Sequence, residues 1–197
     1  LKGAITDPER PEIPGQGDKL SVEKYSGTLL YEDIWPTGGD YDMNDVIVEY
    51  TRAVTFNKDN KVVEINDIFT PVWDGANYHN AFAYQIDASQ MGTVELPEGS
   101  ILEEATNSII VFANAKTVQK KAFTIKRSFG GSISKSDVKD YNPFIIVNYK
   151  EGQTNRTEVH LPKHLPTSMA DASLNYSKDD AYYIRKDGKF PFAMDIP

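Results

Sequence analysis

In "DVIVEYTRAVTF" (45–56), Val46, Val48, Tyr50, Val54 and Phe56 recur at every second position, with Glu49, Thr51 and Thr55 between them. A period of two is that of a strand with one buried face, whereas a helix repeats every 3.6 residues. Arg52 is the one polar residue in the apolar register. "NKDN" (57–60) signals a turn, and "KVVEINDIFTPVW" (61–73) resumes the alternation at Val63, Ile65 and Phe69, which predicts a hairpin. "NAFAYQID" (80–87) places Phe82, Tyr84 and Ile86 on one side.

Further strand-like runs are "SIIVFAN" (108–114), "KAFTIKRSF" (121–129), "PFIIVNY" (143–149), "TEVHLP" (157–162) and "AYYIRK" (181–186). The continuous apolar runs at 109–112 and 144–147 predict central strands covered on both faces. Helical signal is confined to short turns in "SILEEATNS" (100–108) and "SMADASLNYS" (168–177), and "FGGSIS" (129–134) reads as a hairpin tip. Many short strands divided by turn residues predict an all-β fold. The expected form is an antiparallel β-sandwich with jelly-roll or Greek-key wiring. Residues 1–20 carry three prolines and three glycines without periodicity and read as an extended linker or peripheral strap; residues 21–197 read as one domain.

Composition narrows the function. The net charge of −8, from 29 acids and 21 bases, disfavours a nucleic acid partner, which needs a basic face. No apolar run approaches a transmembrane helix in length. The absence of cysteine excludes disulfides, thiolate metal sites and a cysteine nucleophile. The chain starts at Leu1 rather than methionine, so it reads as an excised piece, with any signal peptide or membrane tether upstream.

The charge is unevenly spread. Between Lys24 and Arg52 there is no lysine or arginine, yet Glu32, Asp33, Asp40, Asp42, Asp45 and Glu49 all fall there. Two carboxylates 4 Å apart repel by about 4 kcal/mol at the effective dielectric of a protein surface. A bend that gathers several must spread them into water, protonate some or bind a cation. In Asp40-x-Asp42-x-Asn44-Asp45, preceded by Gly38-Gly39, alternate oxygen side chains can converge on one point, and calcium takes six to eight such oxygens. This is not an EF-hand, because the twelfth position from Asp40 is Thr51 and strand follows. The expected ligands are therefore Asp40, Asp42, Asn44 and Asp45, with Glu32 or Asp33 completing the set from the neighbouring strand end. Asp, Asn and Gly also build turns with no metal, by bonding nearby backbone groups.

"YEDIWPTGGDYDMNDVIVEY" (31–50) resembles the signature of the LruC-type domain of bacterial surface proteins and lipoproteins, abundant in Bacteroidetes: an aromatic, Glu-Asp, Pro, then Gly-Asp-Tyr-Asp-Phe-Asn-Asp before a strand. Met43 stands where that signature has Phe. "GANYHNAFAYQI" (75–86), "NPFIIV" (142–147), "TEVHLP" (157–162) and "YYIRKDGKFPFAMDIP" (182–197) resemble it too, in order. The resemblance implies an exported module, at the cell surface, on an outer-membrane lipoprotein or extracellular, with no established activity. Its acidic core is similar to that of secreted β-domains for which calcium binding is inferred. Family members continue past "DIP", which implies a further C-terminal segment.

Other constellations are weaker. His160 and His164 lack a metal partner at short spacing, and His79 sits among Asp74, Asn77 and Asn80. There is no nucleophile elbow and no His-Glu-x-x-His, so a non-catalytic module is expected. The expected function is adhesion or interaction, with an unidentified protein or glycan as partner and a structural calcium site. Two alternatives stay open. One is a carbohydrate-binding module using Trp35, Tyr41, Trp73, Tyr78 and His79 at strand ends; the other is a hydrolase built around His79.

Overall fold

Twelve strands form in the described residues of the computed structural model, which are 5–6, 20–174, 183–184 and 190–197. They are β1 (Ile5–Thr6), β2 (Ser21–Tyr31), β3 (Val46–Phe56), β4 (Lys61–Trp73), β5 (Ala81–Gln85), β6 (Thr93–Glu95), β7 (Ile101–Glu103), β8 (Ser108–Phe112), β9 (Phe123–Ser134), β10 (Asn142–Ile146), β11 (Glu158–His160) and β12 (Ala193–Ile196). The long strands build one antiparallel sheet in the order β1-β2-β3-β4-β9-β6, and β12 pairs with the outer edge of β2 beyond β1. The second sheet is short-stranded, ordered β11-β10-β5-β8-β7. This is the expected all-β sandwich. Its wiring is a meander, β2-β3-β4, followed by segments that alternate between the layers.

Burial explains the pairing. Leu29, Tyr31, Val46, Val48, Phe69 and Ile125 of the long sheet face Phe82, Tyr84, Ile109, Val111, Ile145 and Val159 of the short one, and all are buried. Phe69 links the layers, its ring 5.0 Å from Phe82 and 5.1 Å from Tyr84. The apolar runs at 109–112 and 144–146 form β8 and β10. Both flank β5, and their other faces contribute Ile110, Phe144 and Ile146 to a second buried cluster.

Several local expectations change. Val62 is buried where Val63 was expected, because register shifts at both ends of the β3–β4 turn slip the phase by one. "FGGSIS" is not a hairpin tip: Gly130 and Gly131, at φ +57° and +80°, form an irregularity inside β9, which runs on to Ser134. The expected helical turns are single 3₁₀ turns at Glu104–Thr106 and Ala172–Leu174. Of the 1–20 strap, Ile5–Thr6 pair with β2; apart from these and Leu20 it lies outside the described residues. So does "AYYIRK", except Tyr183 and Ile184.

Arg52, the polar residue out of place in β3, meets Asp67 directly across the hairpin, Nε to Oδ1 at 2.6 Å. Arg127 of β9 donates to the other Asp67 oxygen at 3.0 Å, and the Tyr84 hydroxyl donates to it at 3.3 Å. All three charged groups are buried. Burial alone would raise the Asp67 pKa, but the two guanidiniums hold it below its ordinary value. Removing one partner of such a group strands the others. Asp67→Ala is therefore expected to cost about 3–5 kcal/mol, read from the urea unfolding midpoint, and a variant as stable as the parent contradicts this account.

Candidate metal centre

Tyr31 and Val46 pair across β2 and β3, so the chain between them leaves one strand end and returns to the adjacent position. This bend lies at the end of the sandwich core and is pinned from inside. The Glu32 N–H donates to the Phe192 carbonyl at 2.9 Å. Trp35 is buried, its ring 4.9 Å from Phe192 and 5.1 Å from Tyr183. Tyr41 stacks on Phe190 at 5.2 Å. Tyr41 and Met43 hold φ values of +56° and +58°, a left-handed conformation that costs a non-glycine residue about 1–2 kcal/mol. Contacts on both residues offset it: the stacking of Tyr41 and a 2.5 Å bond from the Met43 N–H to Glu32 Oε1.

These constraints bring carboxylates together. One oxygen from each of Glu32, Asp40 and Asp42 lies within 4.8 Å of the others. Glu32 is fully buried, while Asp40 and Asp42 face solvent. Glu32 Oε1 accepts from Met43, but Glu32 Oε2 is buried with no hydrogen-bond partner. A Cβ on Gly39 would sit 3.0 Å from that oxygen and 2.6 Å from Ile34 Cδ1, so glycine lets the backbone close over it. Burial, with the charges of Asp45, Asp40 and Asp42, pushes the Glu32 pKa up to about 7.

The remaining expected ligands turn elsewhere. Asp45 Oδ2 accepts the Asp33 N–H at 2.9 Å, and Asp33 Oδ2 accepts from Asn80 Nδ2 at 2.7 Å. The Asn44 amide donates to Asp42, and its Oδ1 would lie 2.5 Å from a Cβ on Gly75. Asp74 and Asn80, read in the sequence only as neighbours of His79, lie beside the bend, Asn80 through Asp33. The Asp74 side chain is fully buried, with Lys116 Nζ 4.0 Å away. Burial raises the carboxyls of Asp33, Asp45 and Asp74 above their ordinary range. Ile47 pairs with Trp73 after register shifts in the hairpin, which brings Asp45 and Asp74, just outside it, towards one another.

The residues proposed for other chemistry separate. Trp35 packs inward and Tyr41 is half-buried, so the ligand-stacking expectation loses Trp35; Trp73, Tyr78 and His79 keep exposed surface. The His79 backbone N–H donates to Asn148 Oδ1 at 3.3 Å. His160, read as unremarkable, is buried: its ring nitrogens lie 2.7 Å from Asn142 Oδ1 and 2.9 Å from Glu158 Oε2, and Glu158 in turn binds Arg156 at 2.7 Å. That network fastens the short edge strand β11.

Residues 101–197 match the family described as "Domain of unknown function (DUF4842)". No curated protein matches the chain. The fold is similar to the 2.08 Å crystal structure of a Bacteroides ovatus protein named a "putative lipoprotein", with a TM-score of 0.64 and 15% identity over 91% of this chain. The likeness covers 66% of that protein's chain and shows the shared fold.

The Glu32 shift sets a sign. A carboxyl with its folded pKa raised from 4.5 to about 7 favours the fold while protonated, and that contribution is lost as pH rises through this window. With chelator present, stability is expected to fall across it, and Glu32→Gln to reduce the fall, while Asp33, raised to about 6, keeps part of it. Urea unfolding at a series of pH values checks this; the same slope in parent and variant assigns the effect elsewhere.

Proposed function

We propose that the chain is a non-catalytic β-sandwich module of an exported bacterial protein, held at the cell surface or released from it, whose acidic bend binds calcium as a structural ion. The carrying observation is the unpartnered Glu32 Oε2, buried and facing two carboxylates. Ligands on one calcium at 2.3–2.6 Å can stand up to about 5 Å apart, and the oxygens of Glu32, Asp40 and Asp42 meet that limit. They would contribute three oxygens, and main-chain carbonyls and water on the open side would complete the shell. The ion would tie the end of β2 to the start of β3 and offset the repulsion within the bend. The ordered LruC-type motifs support the exported placement, and so does the name of the Bacteroides ovatus protein. Adhesion, or docking of a partner protein or glycan, is the role such a module would serve.

Calcium at 100 times its dissociation constant adds about 2.7 kcal/mol of stability, or about 5–10 °C in Tm for a domain of this size. Adding chelator is expected to lower Tm by that amount, and Asp42→Ala to abolish the difference. A melt indifferent to both calcium and chelator sinks the proposal.

A further inference from the structure

Where the short sheet stops covering the long one, a cleft of about 560 Å³ opens between β2, β3, β12 and the loops that flank β10 and β11. Its volume is that of a small-molecule site. It is distinct from the acidic bend: Tyr50 is five positions along β3 from Asp45, about 17 Å at the rise of a strand. Its lining mixes aromatic rings with polar groups. Tyr25, Tyr50 and Tyr141 contribute rings, Arg52 a guanidinium, and Asp140 and Asp195 carboxylates.

The arrangement is built rather than incidental. The Tyr50 hydroxyl lies 3.1 Å from each Asp195 oxygen, joining β3 to β12 across β2. It can reach because its cross-strand partner is Gly27: a Cβ there would stand 2.8 Å from the hydroxyl and 2.9 Å from the ring. Tyr141 stands edge-on to Tyr50 at 6.5 Å and receives the Arg52 guanidinium on its face at 3.9 Å. Rings locked in this way offer apolar surface at little entropic cost.

Charge selects among ligands. Asp67 neutralises the Arg52 guanidinium, and burial lowers the pKa of the lining His164 against the pull of Asp140, so the two lining carboxylates dominate the charge and would repel an anion. Arg52 already covers the face of Tyr141, which removes that ring from an organic cation; the Tyr25 and Tyr50 faces remain, and choline reads that competing outcome. A sugar ring, with one C–H face and a rim of hydroxyls that both donate and accept, matches the rings and the carboxylates together. We infer that this cleft is a binding site for a neutral saccharide, whose ring packs on Tyr25 and Tyr50 while its hydroxyls donate to Asp140 and Asp195. The inference stands independently of the calcium reading and uses none of the loop aromatics near the bend.

The test is calorimetric titration of the full chain with lactose, maltose, cellobiose, chitobiose and mannobiose at millimolar concentration, with glucuronate and choline as charged comparators. At least one neutral disaccharide is expected to bind. Tyr50→Ala and Asp195→Asn are expected to weaken it about tenfold or more in protein shown to be folded. Gly27→Ala, whose Cβ would stand 2.8 Å from both the Tyr50 hydroxyl and the Ile196 carbonyl of β12, disturbs the same wall of the cleft should Tyr50→Ala fail to fold. Three outcomes overturn the inference: no neutral disaccharide binds, glucuronate or choline binds in preference, or binding survives both Asp195→Asn and Gly27→Ala in folded protein.

Discussion

Two sheets of unequal length meet in this sandwich. Strands of eleven to thirteen residues, β2, β3, β4 and β9, pack against strands of three to five residues. At about 3.4 Å per residue the long layer overhangs the short one by more than half its length, and no rearrangement of side chains can close that gap. The chain deals with the overhang in three ways. A small cluster of Val54, Phe56, Val62, Ile65 and Phe129 buries apolar surface within the overhang. The Arg52–Asp67–Arg127 group fills the region beside Tyr84 and Tyr141 with paired charge. What is left uncovered is the aromatic cleft.

The opposite end of the long layer has the reverse problem. There the core is complete, and the chain must turn from β2 to β3 over a surface already occupied by Phe192, Tyr183 and Trp35. Anchoring the bend to that surface drags Glu32 out of water, and the neighbouring carboxylates remove the means of neutralising it locally. The destabilisation is confined to a few side chains because the backbone beneath them is fully paired in the β2–β3 ladder. A centre made this way, one side dry and one side wet, follows from covalent connection to a rigid core rather than from the loop's own preferences.

The layered all-β fold was legible because alternation survives wherever one face is buried, as in Val46, Val48, Val54 and Phe56. The gathering of carboxylates was legible in outline, since no base lies nearby in sequence. Which of them converge was not. Glu32 and Asp33 are adjacent and chemically alike, yet one turns to Asp40 and Asp42 and the other to Asp45 and Asn80, a choice made by tertiary anchoring at Phe192. The Arg52–Asp67 pair depends on the register shift near Phe56, and Arg127 comes from β9, which the chain reaches only after passing through the other layer, so no local pattern announces either. The cleft draws on segments that chain position does not associate, so it too is invisible in one dimension.

The outermost strands also differ from the inner ones. Among the described residues the outermost strands, β1, β12, β6, β11 and β7, have four residues or fewer, and they cover part of the outer edges of the long β2 and β9. An unpaired ladder of backbone amides is a template for a neighbour's strand, and its reach scales with its length. Short bordering strands of this kind break up the run of open amides that β2 and β9 would otherwise present to a neighbouring molecule.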